Sequence, residues 1–398
     1  MIILYQMISE LYKKWPHFEG ADIEAVADVL KSGKINRWTG GKNLEFEEAL
    51  CENVGTRYAI AVSNGTTALE LALVGLGLKR GDEVITTCRT FMASASSVAV
   101  LGGVPIVADV DENSQNFTAS TVEPLITEKT KGIIAVHHMG WPCEMDEIMR
   151  LAKERGLWVI EDCAQAHGAK YRGKSVGSIG NVGAWSFCQD KIITTGGEGG
   201  AVTTNDRDLY LKMWSYKDHG RDYDLVYNTP HPEGFRWLLE SFGTNMRMTE
   251  MQAVLGINGY KNLPEWHARR TEFAKILDAR LSRVETLRTA TAPDYVEHAH
   301  YKHYFFTRPE MLKDGWNAAR IISEINAAGV PAFSGTCWNI SQENCFKKAG
   351  LSKDESQLPA AARLRDTGIM TLIHPTLECG VIESAAEIIA GIAEKALR

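Results

Sequence analysis

Cysteine is sparse in this chain and nowhere clustered. The eight are Cys51, Cys88, Cys143, Cys163, Cys188, Cys337, Cys345 and Cys379, with no C-x-x-C pair and no histidine at zinc spacing. That pattern argues against a structural zinc or iron–sulfur centre, and no metal is expected. A chain of 398 residues buries enough surface to fold without disulfides, so the thiols are read as reduced. Long apolar runs are missing too. No segment approaches the ~20 residues of a spanning helix, so no membrane partner is expected. The opening MIILYQMISELYKKW starts apolar, but the run is short for a secretory core and no small-residue cleavage site follows. The expectation is a cytoplasmic protein. Runs of basic residues are absent and the formal net charge is −7, which argues against a nucleic-acid partner. Internal repeats and low-complexity stretches are absent as well.

What is present is an ordinary globular composition, 44% hydrophobic and 23% charged, over a length that suits two or three domains. From about residue 22 to 205, apolar strand-like runs alternate with helical patterns. Residues 45–55 (EFEEALCENVG), 66–76 and 145–155 read as helices. Residues 58–62 (YAIAV), 83–86, 106–108, 132–136 (GIIAV) and 157–161 (LWVIE) read as strands. Such alternation predicts an α/β layer around a mostly parallel, doubly covered sheet. Beyond residue 205 the pattern changes. Helices are expected over 250–260, 266–283, 318–329 and 383–397, with a strand at 303–307 (HYFFT). This divides the chain into a large domain, 1–261, and a smaller α+β domain, 262–398.

Four stretches carry possible chemistry. Val62-Ser63-Asn64-Gly65-Thr66-Thr67 ends a strand and opens a helix. A helix start of this kind offers free N–H groups and a positive dipole end to a phosphate, although it also reads as an ordinary cap. Glu161-Asp162-Cys163-Ala164-Gln165 puts two carboxylates at the carboxyl end of a strand, the edge where open α/β sheets bind ligands. A capping aspartate is the plainer alternative. Ser186-Phe187-Cys188-Gln189-Asp190-Lys191 runs into the glycine-dense Gly196-Gly197-Glu198-Gly199-Gly200. A lysine held there is a Schiff-base candidate, where most lysines are simply solvated. Gly243-Thr244-Asn245-Met246-Arg247 is a turn before a helix.

One cofactor unites them. Pyridoxal 5'-phosphate needs a phosphate cradle, an acid for its pyridine nitrogen, a lysine for its aldehyde and an apolar face for its ring. Cradle, acid and lysine occur here in that order.

The stretches SNGTTAL, GDEVITT…TFMASA, GGVPIVADVD, EDCAQAHGA, GSIGNVGAWSF, K…TTGGEGGAVTTND, GTNMRMTEMQAVLG and LIHPTL resemble the DegT/DnrJ/EryC1/StrS family of sugar aminotransferases. The resemblance runs from Gly33 to about Gly256 and weakly to the C-terminus. It implies the type I aminotransferase fold, with a seven-stranded mixed sheet and a smaller C-terminal domain, and a homodimer with shared active sites. It further implies that Lys191 carries the cofactor as a Schiff base. Asp162 would pair with the ring nitrogen, Gln165 would lie near the ring hydroxyl, and Phe91 would stack on the ring. Thr66, Thr67 and Ser186 would hold the phosphate, with Gly65 giving room and Asn245 reaching in from the other subunit. The implied substrates are a nucleotide-linked keto-sugar as amino acceptor and glutamate as donor. Trp38, His219, Arg221, Arg247 and Trp338 are candidates for the sugar or nucleotide pocket. Residues 329–346 (GVPAFSGTCWNISQENCF) depart from the His–Tyr and proline pattern that relatives often carry near the sugar, which leaves the substrate's identity open. The alternatives are a keto-sugar without a nucleotide, a related ring acceptor, a dehydratase and a non-catalytic regulator. The dehydratases carry histidine in place of Lys191, and a regulator would not need the intact cradle, acid and lysine.

Overall fold

The computed structural model describes residues 10–230, 237–336 and 338–398. The first nine residues of the N-terminal stretch and Cys337 lie outside them. Helices α1 (Gly20–Ser32) and α2 (Lys42–Val54) lead into strand β1 (Tyr58–Val62) and helix α3 (Gly65–Gly75). Strand β2 (Glu83–Thr87), helix α4 (Ala93–Val100) and strand β3 (Val104–Ala108) follow. Next come β4 (Thr130–Val136), helix α5 (Met145–Arg155), β5 (Trp158–Asp162), β6 (Val182–Ser186) and β7 (Gly200–Thr204). These seven strands form one sheet in the order β1-β7-β6-β5-β4-β2-β3. Strand β7 alone runs against the rest, pairing antiparallel with β1 and with β6. The expected seven-stranded, mostly parallel sheet is therefore present. Its strands read as continuous apolar runs because helices cover both faces: Ile60, Ile85, Ile133, Ile134 and Val159 are fully buried.

After helix α6 (Arg207–Lys217) comes helix α7 (Glu250–Leu281), 32 residues long. The sequence suggested two helices here with a domain boundary between residues 261 and 262. Instead the helix passes straight through that point with Pro264 inside it. Its first half buries Ala253, Tyr260 and Leu263 in the core of the large domain. Its second half buries Phe273, Leu277 and Leu281 in a separate core with Ile321, Ile369 and Ile389. Glu250, at the start of α7, accepts hydrogen bonds from the Lys42 and Asn43 N–H groups, at 2.5 and 3.2 Å. It thereby satisfies the first amides of α2.

The second core lies under an antiparallel sheet. Its strands are β8 (Leu287–Thr289), β9 (His303–Thr307), β10 (Ala332–Phe333) and β11 (Gly368–Thr371), in the order β8-β9-β11-β10. Helices α8 (Ala318–Ala327) and α9 (Cys379–Lys395) pack on it. Among the described residues no helix is long and apolar enough to cross a membrane.

Candidate active site

The carboxyl ends of β1, β5 and β6 open onto a cavity of about 700 Å³, lined also by Phe91, Lys191, Glu198 and, from the smaller domain, Tyr301, Lys302 and Thr336. Each chemically useful side chain is delivered by a local device.

At the first, Asn64 caps α3. Its Oδ1 accepts from the Thr67 N–H at 2.9 Å, and Thr67 Oγ1 accepts from the Asn64 N–H at 3.2 Å. Thr67 Oγ1 also donates to the Asn64 carbonyl at 2.8 Å, so this hydroxyl is spent on the cap. The Gly65 and Thr66 amides remain at the open helix end. Gly65 is glycine for a reason of space: a Cβ there would come within 2.6 Å of Ser186 Cβ. Its absence lets the end of β6 lie against the start of α3 and sets the Ser186 hydroxyl beside the free amides.

Asp162 ends β5 and is 6% exposed. Its Oδ2 accepts from Ser94 Oγ at 2.8 Å and its Oδ1 from the Ala164 N–H at 3.2 Å. Burial pushes its pKa above the ordinary 3.8, while those two bonds and the nearby charge of Lys191 work in the opposite direction. It is a buried carboxylate that makes no ion pair among the described residues. Glu161, beside it, alternates to the other face of the sheet. There it accepts from His137 Nε2 at 3.0 Å and from the N–H groups of Gly177, Ile179 and Gly180 at 2.9, 2.8 and 2.7 Å. Every lone pair that matters is used, and Glu161 is structural.

Lys191 follows the bend after β6, with its Nζ 5.1 Å from the Tyr301 ring centre. Gln165 lines the same wall, and its Oε1 accepts from the Met139 N–H at 2.7 Å, leaving its amide NH₂ to donate. Phe91 sits at the cavity wall with 70% of its surface exposed, which is unusual for a phenylalanine unless something covers its ring.

Gly65, Thr66, Thr67, Phe91, Asp162, Gln165, Ser186 and Lys191 thus all line one cavity. Asn245 does not. It lies exposed, bridged to Asp218 and accepting from the Arg247 N–H at 3.2 Å. Nor do the five candidates for a sugar or nucleotide pocket line it. Arg221 and Arg247 both donate to the buried Asp218 carboxylate, at 3.0 and 2.6 Å. Trp38 lies beneath the Arg221 guanidinium at 4.3 Å. His219 occupies a turn at φ 64°. Trp338 packs under Arg365, 4.8 Å away. The arginines were expected to reach an anionic substrate, but a fully buried carboxylate with cations around it claims them first. Sequence reasoning missed Ser94, which fixes Asp162, and the Asp190–Tyr301–Lys302 group opposite Lys191. Ser94 sits in a run of small residues; Asp190 was quoted only as a neighbour of Lys191, and Tyr301 and Lys302 lie just before the expected strand at 303–307, with no motif to mark them.

The residues present fit pyridoxal phosphate. Free helix amides beside Ser186 suit its phosphate, the uncompensated Asp162 suits a pyridinium nitrogen, and Phe91 offers a ring face. With the mixed sheet and the lysine beyond β6, they define a pyridoxal-phosphate-dependent transferase of the type I fold. A profile of the DegT/DnrJ/EryC1/StrS aminotransferase family matches residues 16–390, and the chain belongs to that family. It is 37% identical to GDP-perosamine synthase of Caulobacter vibrioides over 317 residues, 79% of this chain and 81% of that one. It is 33% identical to UDP-4-amino-4-deoxy-L-arabinose–oxoglutarate aminotransferase of Shewanella sediminis, over 80% of each chain. The crystal structure of an aminotransferase from Psychrobacter cryohalolentis superposes with a TM-score of 0.94 at 48% identity, covering 96% of this chain and 98% of that one. The protein is a pyridoxal-phosphate-dependent sugar aminotransferase.

Proposed function

We propose that the amino acceptor is a nucleotide-linked keto-sugar, aminated at C-4 of a 4-keto-6-deoxyhexose, and that glutamate is the donor. The names of two relatives support this reading: one makes a GDP-linked amino sugar, the other works between a UDP-linked 4-amino-4-deoxy sugar and oxoglutarate. The observation that carries it is the cavity itself. At about 700 Å³ it has room for a sugar over the cofactor site, and it meets the smaller domain at Gly335 and Thr336.

When bound, pyridoxal phosphate supplies an aldehyde to carry the amino group and a conjugated ring to take up electrons released at the substrate carbon. The protein's own groups do the rest. Lys191 would hold the cofactor and, freed from it, would move the proton at the substrate carbon as general base and acid. Asp162, held by Ser94, keeps the ring nitrogen protonated. Gln165, its Oε1 already held by the Met139 N–H, would have its NH₂ to offer the ring hydroxyl. The Gly65 and Thr66 amides, the Ser186 hydroxyl and the Thr66 side chain would hold the phosphate, while Thr67, expected to join them, would serve by capping the helix whose free amides face it. The net exchange is glutamate plus keto-sugar for 2-oxoglutarate plus amino sugar. The enzyme acts as a homodimer, each site completed by Asn245 of the other chain.

A panel of UDP-, GDP- and dTDP-linked 4-keto-6-deoxyhexoses with glutamate tests the substrate reading. One of them should be aminated with release of 2-oxoglutarate. Efficient amination of a free keto-sugar, with no nucleotide sugar accepted, would overturn it.

A further inference from the structure

Two side-chain cations line the cavity among the described residues, Lys191 and Lys302; its anions are Asp162, Asp190 and Glu198. No arginine or histidine is there. A glutamate donor, on the reading above, brings two carboxylates into this space. Its amine takes the place of Lys191, so Lys191 is committed to the reacting end. A carboxylate entering a partly dry cavity already lined by three acids is costly unless a cation meets it. Elsewhere the arginines are engaged. Arg221 and Arg247 are on Asp218, Arg89 donates to Gln115 at 2.7 Å, and Arg270 holds the Tyr301 and Ile373 carbonyls at 3.2 and 2.6 Å.

Among the described residues of this chain, Lys302 is the cation left in the cavity, and its setting is that of a binding group. It directly precedes β9, so it projects from the smaller domain toward a site whose other groups come mainly from the large one. Its Nζ lies 4.5 Å from the Tyr301 ring centre, against the same ring that Lys191 Nζ approaches to 5.1 Å. The two ammonium groups are thus both neighbours of one ring in the wall of this cavity. The lysine is not consumed by its neighbour. Asp190 Oδ2 is 3.5 Å away, accepts the Tyr301 O–H at 2.5 Å and belongs to a carboxylate that is 57% exposed. Burial pushes the pKa of Lys302 down to about 8, with Asp190 opposing the shift and Arg270 and Lys191 adding to it. The ammonium stays charged at neutral pH and has hydrogen-bond donors to spare.

We propose that Lys302 binds a carboxylate of the amino-acid donor, which makes it the donor-specificity residue of this site. The inference rests on the donor reading above.

The test uses the holoenzyme with Lys302→Met and Lys302→Arg. Glutarate, a dicarboxylate with no amine, reports carboxylate binding by calorimetry, and the two half-reactions are followed separately with glutamate and with the amino-sugar product. Lys302→Met is expected to weaken glutarate binding and raise the KM for glutamate by about tenfold or more. The amino-sugar half-reaction and the cofactor's absorbance should stay near wild type, and Lys302→Arg should recover most of the loss. Should Lys302→Met fail to hold cofactor, Lys302→Gln makes the same comparison. Unchanged glutarate affinity and glutamate KM would overturn the proposal, as would equal slowing of both half-reactions, which would mean that Lys302 acts through Lys191. Wild-type enzyme that releases no 2-oxoglutarate from glutamate would overturn the donor reading as well. Glutamate turnover that is normal in wild type and untouched by Lys302→Met would overturn this inference alone.

Discussion

Two adjacent carboxylates at the end of β5 have opposite fates. Strand alternation sends Glu161 to one face and Asp162 to the other. Burial alone would raise the Glu161 pKa, but His137 and the Gly180 and Gly177 N–H groups outweigh it and hold it below the usual range. Asp162 has fewer donors, and burial wins. The two therefore separate under mutation. Glu161→Gln should cost about 1–3 kcal/mol of stability, because a buried acceptor of backbone N–H groups becomes a donor facing donors; a denaturation midpoint measures it. Asp162→Asn should leave that midpoint nearly unchanged and slow transamination by about 10²–10³-fold. Lys191→Ala should slow it by about 10³-fold or more, with the fold intact by circular dichroism. Full activity in Asp162→Asn would reduce the acid to a cap. The pair was legible in the sequence as an acidic strand end. The choice of Asp162 over Glu161 came from the family resemblance alone, because the phase of strand alternation depends on where the sheet ends.

At the scale of elements, the start of α3 was readable in full: strand, turn, cap and helix each have their own residue signal. What could not be read was why the third member of SNGTTAL is glycine. The answer is Ser186, 121 positions further on, which a Cβ at 65 would strike. Gly65→Ala must push α3 off β6. The expected cost is about 1–3 kcal/mol of stability, and spreading of the phosphate cradle should weaken cofactor affinity further. Titrating the apo-variant with pyridoxal phosphate checks this; wild-type affinity would show that the helix start tolerates the shift. Strands β6 (VGAWS) and β7 (GAVTT) went unread because small residues and glycine mask a strand that is buried on both faces. Helix α7 was read as two helices, 250–260 and 266–283, and the gap between them holds Pro264, which removes an N–H and crowds the preceding turn. Tertiary burial on both sides of it, in two different cores, overrides that local penalty. No local pattern announces such an override.

The whole chain leaves apolar surface uncovered. Phe242 is fully exposed, Trp237 is 87% exposed and Leu239 54%, and all three stand within eight residues of Asn245. Three exposed apolar side chains on the segment that carries Asn245 fit the proposed homodimer, in which a two-fold axis would present Asn245 of each chain to the cavity of the other. Sedimentation should then give a dimer at assay concentration, and Phe242→Asp with Trp237→Asp should shift it toward monomer with loss of activity. A sharper test separates action across the interface from action within one chain. Lys191→Ala and Asn245→Ala chains, each inactive or impaired alone, are co-expressed with different tags and the mixed dimer is isolated. If Asn245 serves the other chain's site, one site of that dimer unites Lys191 of one chain with Asn245 of the other, and the second site carries both lesions. The mixed dimer should recover about half the wild-type rate. If Asn245 served its own chain, both sites would carry a lesion, and the mixture would do no better than its parents.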